Sequence, residues 1–280
     1  MFSTIQRFSL ITFTAFSLSG CFDTTPTTTQ LCEDHSELQC DQLNMRDGQC
    51  LNQRDALILS RFATLKSQND LDKLKTIQAT YQYQSCLTSA AQIEPITAKE
   101  IKTKRSEALI HTYDAIDLLS IELKESKEPK VLYYRWSTGD KSALREFLQL
   151  EGSRSLETAE LQYALATFYA LHNGNKTITL LNHSLELLTK DDYKNDFHAT
   201  IIKSLASINH KEQNTEHAYI WALVGKEFDL QVSSQQQLDL LYSFSDAEKQ
   251  KLQQASDVIV KSIKEQKFSA QLLPKVTEKN

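Results

Sequence analysis

Apolar residues recur at helical spacing along most of this chain. Leu57, Ile58, Phe62 and Leu65 trace one stripe, and Leu71, Leu74, Ile77 and Tyr81 trace a second after the polar break Ser67-Gln68-Asn69. Residues three and four apart share a helix face, so the pattern predicts two helices with a short link, an antiparallel hairpin. Thr97 with Glu100, just past Pro95, forms a capping-box pair and starts a third helix. Its apolar face runs through Ile101, Ala108, Leu109, Ile116, Leu119 and Leu123 until Lys127-Glu128-Pro129 breaks it. The same start signal recurs at Ser234 with Gln237, and at Ser245 with Glu248 ahead of Leu252, Ile259 and Ile263.

Between Pro129 and Leu230 the predicted helices become short and paired, turning at Gly139-Asp140, Gly174-Asn175 and Asn214-Thr215. Leu165-Ala166 and Leu205-Ala206 lie equally far before the second and third turns, and Ala143, Ile178 and Ala218 equally far after all three. Such periods are expected of stacked helix hairpins, in which no single unit can bury its apolar face alone. At these residues the chain resembles tetratricopeptide and Sel1-like repeats. Leu165-Ala166 and Leu205-Ala206 stand where those families have Leu-Gly or Leu-Ala, Tyr169 matches the first-helix aromatic, and Ala218 the small residue of the second helix. The pattern departs from them in lacking a proline at the repeat end and in having Asn182 and Ala222 at a usual aromatic position. With only 6 Gly and 4 Pro in 280 residues, strands and tight turns have little to be built from. The expected fold is all-α: an N-terminal disulfide-stapled helical hairpin followed by stacked hairpins of this repeat type.

The first twenty residues read as an address. Arg7 is followed by the apolar run Phe8 to Leu18, too short for the roughly 20 helical residues that span a bilayer, which fits a secretory signal peptide. Leu18-Ser19-Gly20-Cys21 resembles the lipobox of bacterial lipoproteins. The resemblance implies cleavage before Cys21, acylation of its thiol and amine, and a lipid bilayer as a partner. One acyl chain anchors reversibly, and two or more anchor stably. In Gram-negative lipoproteins an Asp directly after the lipidated Cys favours inner-membrane retention; Phe22 stands there, so the implied address is the periplasmic face of the outer membrane. Residues 21–31 are expected to form a flexible tether, because Asp23 to Gln30 is polar and aperiodic. Without Arg7, the 31 basic and 36 acidic residues leave a mature charge of 30 − 36 = −6. That balance argues against a nucleic-acid partner.

Cys32, Cys40, Cys50 and Cys86 remain, an even number suited to disulfides in an exported chain. Three pairings are possible. The predicted hairpin brings the start of its first helix beside the end of its second, which favours Cys50 with Cys86 and leaves Cys32 for Cys40. A zinc site from Cys32, His35, Cys40 and Cys50 is the competing arrangement, but the closely spaced Cys pairs usual in zinc sites are missing, so no metal or other cofactor is expected and His35 reads as a solvated loop residue.

Cys40-Asp41-Gln42-Leu43-Asn44-Met45, Asp47-Gly48-Gln49-Cys50 and the stretch from Leu144 to Gly152 running on to Glu160-Leu161-Gln162-Tyr163-Ala164-Leu165-Ala166 are similar to an uncharacterised gammaproteobacterial lipoprotein family, domain of unknown function 2989. The family implies a periplasmic lipoprotein and supplies no activity. The expected organisation is a signal at 1–20, lipidated Cys21 and tether at 21–31, a Cys-containing helical region at 32–128, the repeat domain at 129–270 and a tail at 271–280.

A nucleophile elbow, phosphate loop, dinucleotide Gly motif and H-E-x-x-H pair are all missing. Glu151, Glu157 and Glu160 could supply a glycosidase-type carboxylate pair, and His183, His198, His210 and His217 could meet across two hairpins. Spacing does not separate either set from solvated helix faces. Trp136, Tyr163, Tyr169, Tyr219 and Trp221 fall in the repeat region, where aromatic residues chiefly fill gaps between units. Solenoids also present concave surfaces to partners, and the repeat register turns Tyr163 and Thr167 on one first helix, and Lys203 and Ser207 on the next, toward such a surface. The reading that follows is a non-enzymatic adaptor for an envelope protein or peptide, of unspecified oligomeric state. The competing reading is an envelope enzyme acting on peptidoglycan.

Overall fold

The structure, a computed structural model, describes residues 26–94 and 99–275. Cys21, the segment before it and Thr97 of the capping pair lie outside the described residues. Among the described residues the chain forms thirteen α-helices and no strand, and no helix is long and apolar enough to cross a membrane.

Helix α1, Thr28–Asp34, begins inside the stretch expected to be a tether. Thr27 and Gln30 form a capping box and Leu31 is buried, so a polar run without apolar period is turned helical by its cap and one anchor. Two 3-10 turns, Ser36–Leu38 and Cys40–Gln42, lead to α2, Leu51–Ser67, and α3, Asp70–Ala90. Cys32 is bonded to Cys40 and Cys50 to Cys86, with Cα separations of 5.8 and 5.7 Å. His35, expected in solvent, packs against the ring of Phe62, with centroids 5.1 Å apart.

Helix α4, Lys99–Glu122, packs on the other side of α3, which is therefore buried on two faces. Leu74 and Ile77 supply part of the burial; Thr76, Thr80, Tyr83, Leu87 and Ala90 supply the rest. Tyr81, placed on the apolar stripe by sequence, is exposed, and Tyr83 takes the interior position with its hydroxyl accepting from the Asn44 N–H at 3.2 Å. A stripe containing threonines escapes an apolar count. Here the hydroxyls are satisfied locally: Thr76 meets Ser60 at 2.9 Å and Thr64 at 2.8 Å, and Thr80 donates to the Thr76 carbonyl.

The loop between the second 3-10 turn and α2 is fixed by a buried ion pair. Arg105 of α4 donates from Nε and Nη2 to Asp47 at 2.5 and 3.3 Å, both side chains being less than a tenth exposed. Asp47 also accepts from Asn44 Nδ2 and the Gln49 N–H, Arg105 reaches the Ala90 carbonyl, and Arg54 of α2 donates to the carbonyls of Asn44 and Asp47. The bond from Arg105 holds the Asp47 carboxyl below its ordinary range against the opposing effect of burial.

Leu74, Ile77, Ile116, Leu123 and Val131 join α3 and α4 to α5, Pro129–Ser137, where a series of hairpins begins. Helix α6, Lys141–Gln149, completes the first hairpin; α7, Ala159–Tyr169, and α8, Gly174–Glu186, form the second. The short α9, Lys190–Lys194, precedes the third, α10, Phe197–Lys211, with α11, Thr215–Glu227. Helix α8 packs on α10, so the second and third hairpins stack. The second turn falls before Gly174, with Asn173 as the cap, so Thr177 rather than Ile178 occupies the buried place that Ala218 holds in α11.

Residues Ala218 to Gly225 of α11 are all buried, because α10 covers one side and α13, Asp246–Lys264, another. Between them lies α12, Gln235–Leu241. Both capping boxes anticipated in this region, Ser234 with Gln237 and Ser245 with Glu248, are formed.

Candidate binding groove

Helices α7 and α10, the first helices of the second and third hairpins, both pack on α8. Tyr163 of α7 bridges them: its hydroxyl meets Ser204 Oγ at 3.2 Å, and its ring lies edge-on to Phe197 with centroids 5.4 Å apart. At the far end Lys211 of α10 donates to the Ala170 carbonyl at 2.7 Å, at the C-terminal end of α7. Between these two bridges is a cavity of about 380 Å³ lined by Tyr163, Thr167, Leu171, Leu181, Ser207 and Lys211, among others.

A second cavity, of about 440 Å³, opens on the next side of α10, toward α11 and α12, and is lined by Lys203, Ser207, His210, Ser233, Leu241 and Tyr242, with smaller residues in its floor. Ser207 belongs to both, so the two form one strip running from α7 over α10 to α12. The four residues chosen from repeat register thus all line this strip. Thr167, Lys203 and Ser207 are exposed; Tyr163 is half-buried and contributes to the packing between hairpins as well as to the groove wall. Register alone could not show that second role, because it depends on Phe197, which lies outside the repeat pattern. The contribution of Gln231 to Ser233 was also not foreseen, since these residues belong to a connector with no periodicity.

The remaining aromatic residues are structural. Tyr219 and Trp221 are buried in α11, Trp136 packs on Phe147 at 5.8 Å, and Tyr169 donates to Glu151 beneath the ammonium of Lys176. The candidate carboxylates are separately engaged, Glu151 with Lys176, Glu160 with Lys130 and Glu157 with His183. The histidines do not converge. His198 sits between Tyr193 and Phe228, where burial lowers its pKa; His210 bonds Tyr242 Oη at 2.7 Å; His217 bonds the Pro274 carbonyl at 2.8 Å. Among the described residues no group of three or more His, Cys, Asp and Glu could hold a metal ion.

The family model described as Protein of unknown function (DUF2989) matches residues 18–223. The chain belongs to this family. The DUF2989 match takes in Leu18 to Cys21, the N-terminal helices and all but the last turn of the third hairpin, so the α7/α10 side of the groove lies within it and the α12 side beyond it. No curated protein and no solved structure matches the chain.

His183 is the one histidine between two carboxylates, 2.8 Å from Glu157 and 3.4 Å from Glu186; Glu186 also accepts from the Ala270 N–H. Burial disfavours the charged ring, but the two carboxylates outweigh it and raise the pKa. A raised folded-state value contributes stability that is fully present below the ordinary value of 6.5 and is lost as pH rises through the folded value. His183→Gln should therefore flatten the stability profile in that window while leaving it unchanged well above it. Urea titrations at a series of pH values measure this, and an unaltered profile in the variant would refute it. Because His183 is over a third exposed, the effect is small.

Proposed function

We propose that this chain is a lipoprotein anchored through acylated Cys21 at the periplasmic face of the outer membrane, and that its hairpins, of tetratricopeptide or Sel1 type, bind another envelope protein or peptide. It acts as an adaptor in envelope assembly or maintenance and catalyses no reaction. The observation that carries this reading is the continuous strip over α7, α10 and α12, in which the exposed Thr167, Lys203 and Ser207 and the half-buried Tyr163 come together from separate hairpins. The anchoring part is supported by the sequence Leu18-Ser19-Gly20-Cys21, which the DUF2989 match includes.

Two results test it. Cys21→Ser removes the thiol on which thioether formation depends, so the precursor should stay uncleaved and take up no acyl label in cells; normal maturation would sink the anchoring. For the groove, a photoreactive side chain at Thr167 or Ser207 should crosslink to a discrete partner in cells, and Ser207→Arg should abolish capture while shifting unfolding by no more than about 0.5 kcal/mol, as for an exposed site. Leu205, fully buried on the opposite side of α10, should behave the other way: Leu205→Ala should cost roughly 3 kcal/mol through lost burial and a residual cavity. Should Ser207→Arg unfold the protein, or leave capture intact, the assignment of the two faces of α10 is wrong.

A further inference from the structure

The groove also carries a chemical signature of what it binds. The chain has more acidic residues than basic ones, 36 against 31, yet no acidic side chain lines either cavity among the described residues. The charged groups there are Lys203 and Lys211, one on each side of Ser207 along α10, with His210 beside them. Elsewhere on the surface Lys127, Lys130, Lys176 and Lys249 each face a carboxylate within 2.8 Å. Lys203 and Lys211 enter no ion pair among the described residues, and the bond from Lys211 to the Ala170 carbonyl uses only one of its three donors while fixing the ammonium at the groove wall. Next to these cations stand two large exposed apolar side chains, Leu171 at 84% and Leu241 at 53% exposure, one lining each cavity.

Resting on the binding role proposed above, we infer that the groove takes an extended peptide segment whose side chains alternate between carboxylates and apolar groups. The carboxylates are received by Lys203 and Lys211, and the apolar groups lie against Leu171 and Leu241. Lys203 and Lys211 are separated along α10 by about 12 Å at 1.5 Å per residue, close to the span of two carboxylates four residues apart on an extended segment at about 3.3 Å per residue. Alternate side chains of an extended segment point to opposite sides, which suits one set meeting the cations and the other the apolar rim. The overall negative charge of the chain does not oppose this at close range, because charges further than about 8 Å apart are largely screened at physiological salt.

The test uses the full chain in detergent and three labelled eight-residue peptides in which Leu alternates with Asp, with Asn or with Lys, measured by fluorescence anisotropy. The Leu/Asp peptide is expected to bind, to weaken with added salt, and to lose about tenfold in affinity with either Lys203→Gln or Lys211→Gln, the loss of one charge-assisted bond. Melting curves of both variants should match the parent, since both side chains are exposed. Equal binding of the Leu/Asp and Leu/Asn peptides, or lysine variants that bind the Leu/Asp peptide as the parent does, would overturn the acidic assignment. The broader binding reading is judged separately. If crosslinks through Thr167 and Ser207 persist in cells and are indifferent to both lysine variants, the groove binds a partner of other chemistry; if those crosslinks never form and none of the peptides binds, the groove reading itself falls.

Discussion

Arg105→Met is expected to lower the unfolding free energy by about 3 to 5 kcal/mol, because it strands the Asp47 carboxylate in the interior without its partner. The loss is not confined to one bond. Arg105 ties α4 to the loop that holds Asp47 and to the end of α3, and that loop hands α2 its starting position through Cys50. Asp47→Asn removes the charge from the other side and leaves a buried guanidinium, so it should cost a similar amount. Replacing both at once, Asp47→Asn with Arg105→Met, should cost clearly less than the sum, since neither charge is then left alone. Urea denaturation of the four proteins measures the cycle; additive costs would show that the two residues act independently. The pH dependence has a fixed sign. A depressed folded-state pKa contributes stability above the unfolded value and loses it as pH falls through the folded one. In Arg105→Met the largest of the effects that lower the Asp47 pKa is gone, while the bonds from the Gln49 N–H and Asn44 remain, so the loss of stability on acidification should be shallower than in the parent.

Replacing Cys50 and Cys86 together by Ala is expected to cost about 4 kcal/mol in the chain-entropy account, given their sequence separation of 36. The bond joins the first residue before α2 to the last turns of α3, so without it the unfolded hairpin regains most of its freedom. The shorter Cys32–Cys40 loop, spanning 8 residues, should matter less in the same account. Thermal melting of the two double variants beside the parent compares them, and an equal or reversed ranking would mean that local packing, not loop length, sets the stabilisation.

Much of this architecture is written in residue spacing. The α2/α3 hairpin follows from its stripes, the pairing of Cys50 with Cys86 from the hairpin, and the starts of α12 and α13 from Ser234 and Ser245, because each signal is local and each is decided within a few residues. What escaped was decided elsewhere. Tyr83 is interior and Tyr81 is not because α4 covers a face of α3 that is rich in threonine, which no count of apolar residues can register. Helix α1 escaped because its apolar anchors, Leu31 and the bonded Cys32, are adjacent in a seven-residue helix too short to show a period. In the groove, the residues on α7 and α10 were legible from repeat register, but the α12 side was not, since Gln231 to Ser233 belong to an irregular connector placed by long-range packing. Asp47 and Arg105, 58 residues apart, give no sequence signal at all of their contact.

The positions of the two tryptophans make the hairpin array separately visible in solution. Trp136 packs in the first hairpin and Trp221 is fully buried in the third, while the N-terminal helices α1 to α4 contain none. Intrinsic fluorescence excited at tryptophan therefore follows the loosening of the hairpins alone, whereas far-ultraviolet circular dichroism averages over every helix. Under reducing conditions the two signals become independent witnesses: a dichroism loss that precedes any tryptophan change would mark the N-terminal helices as a unit that opens on its own, and coincident transitions would mark the whole chain as one cooperative body.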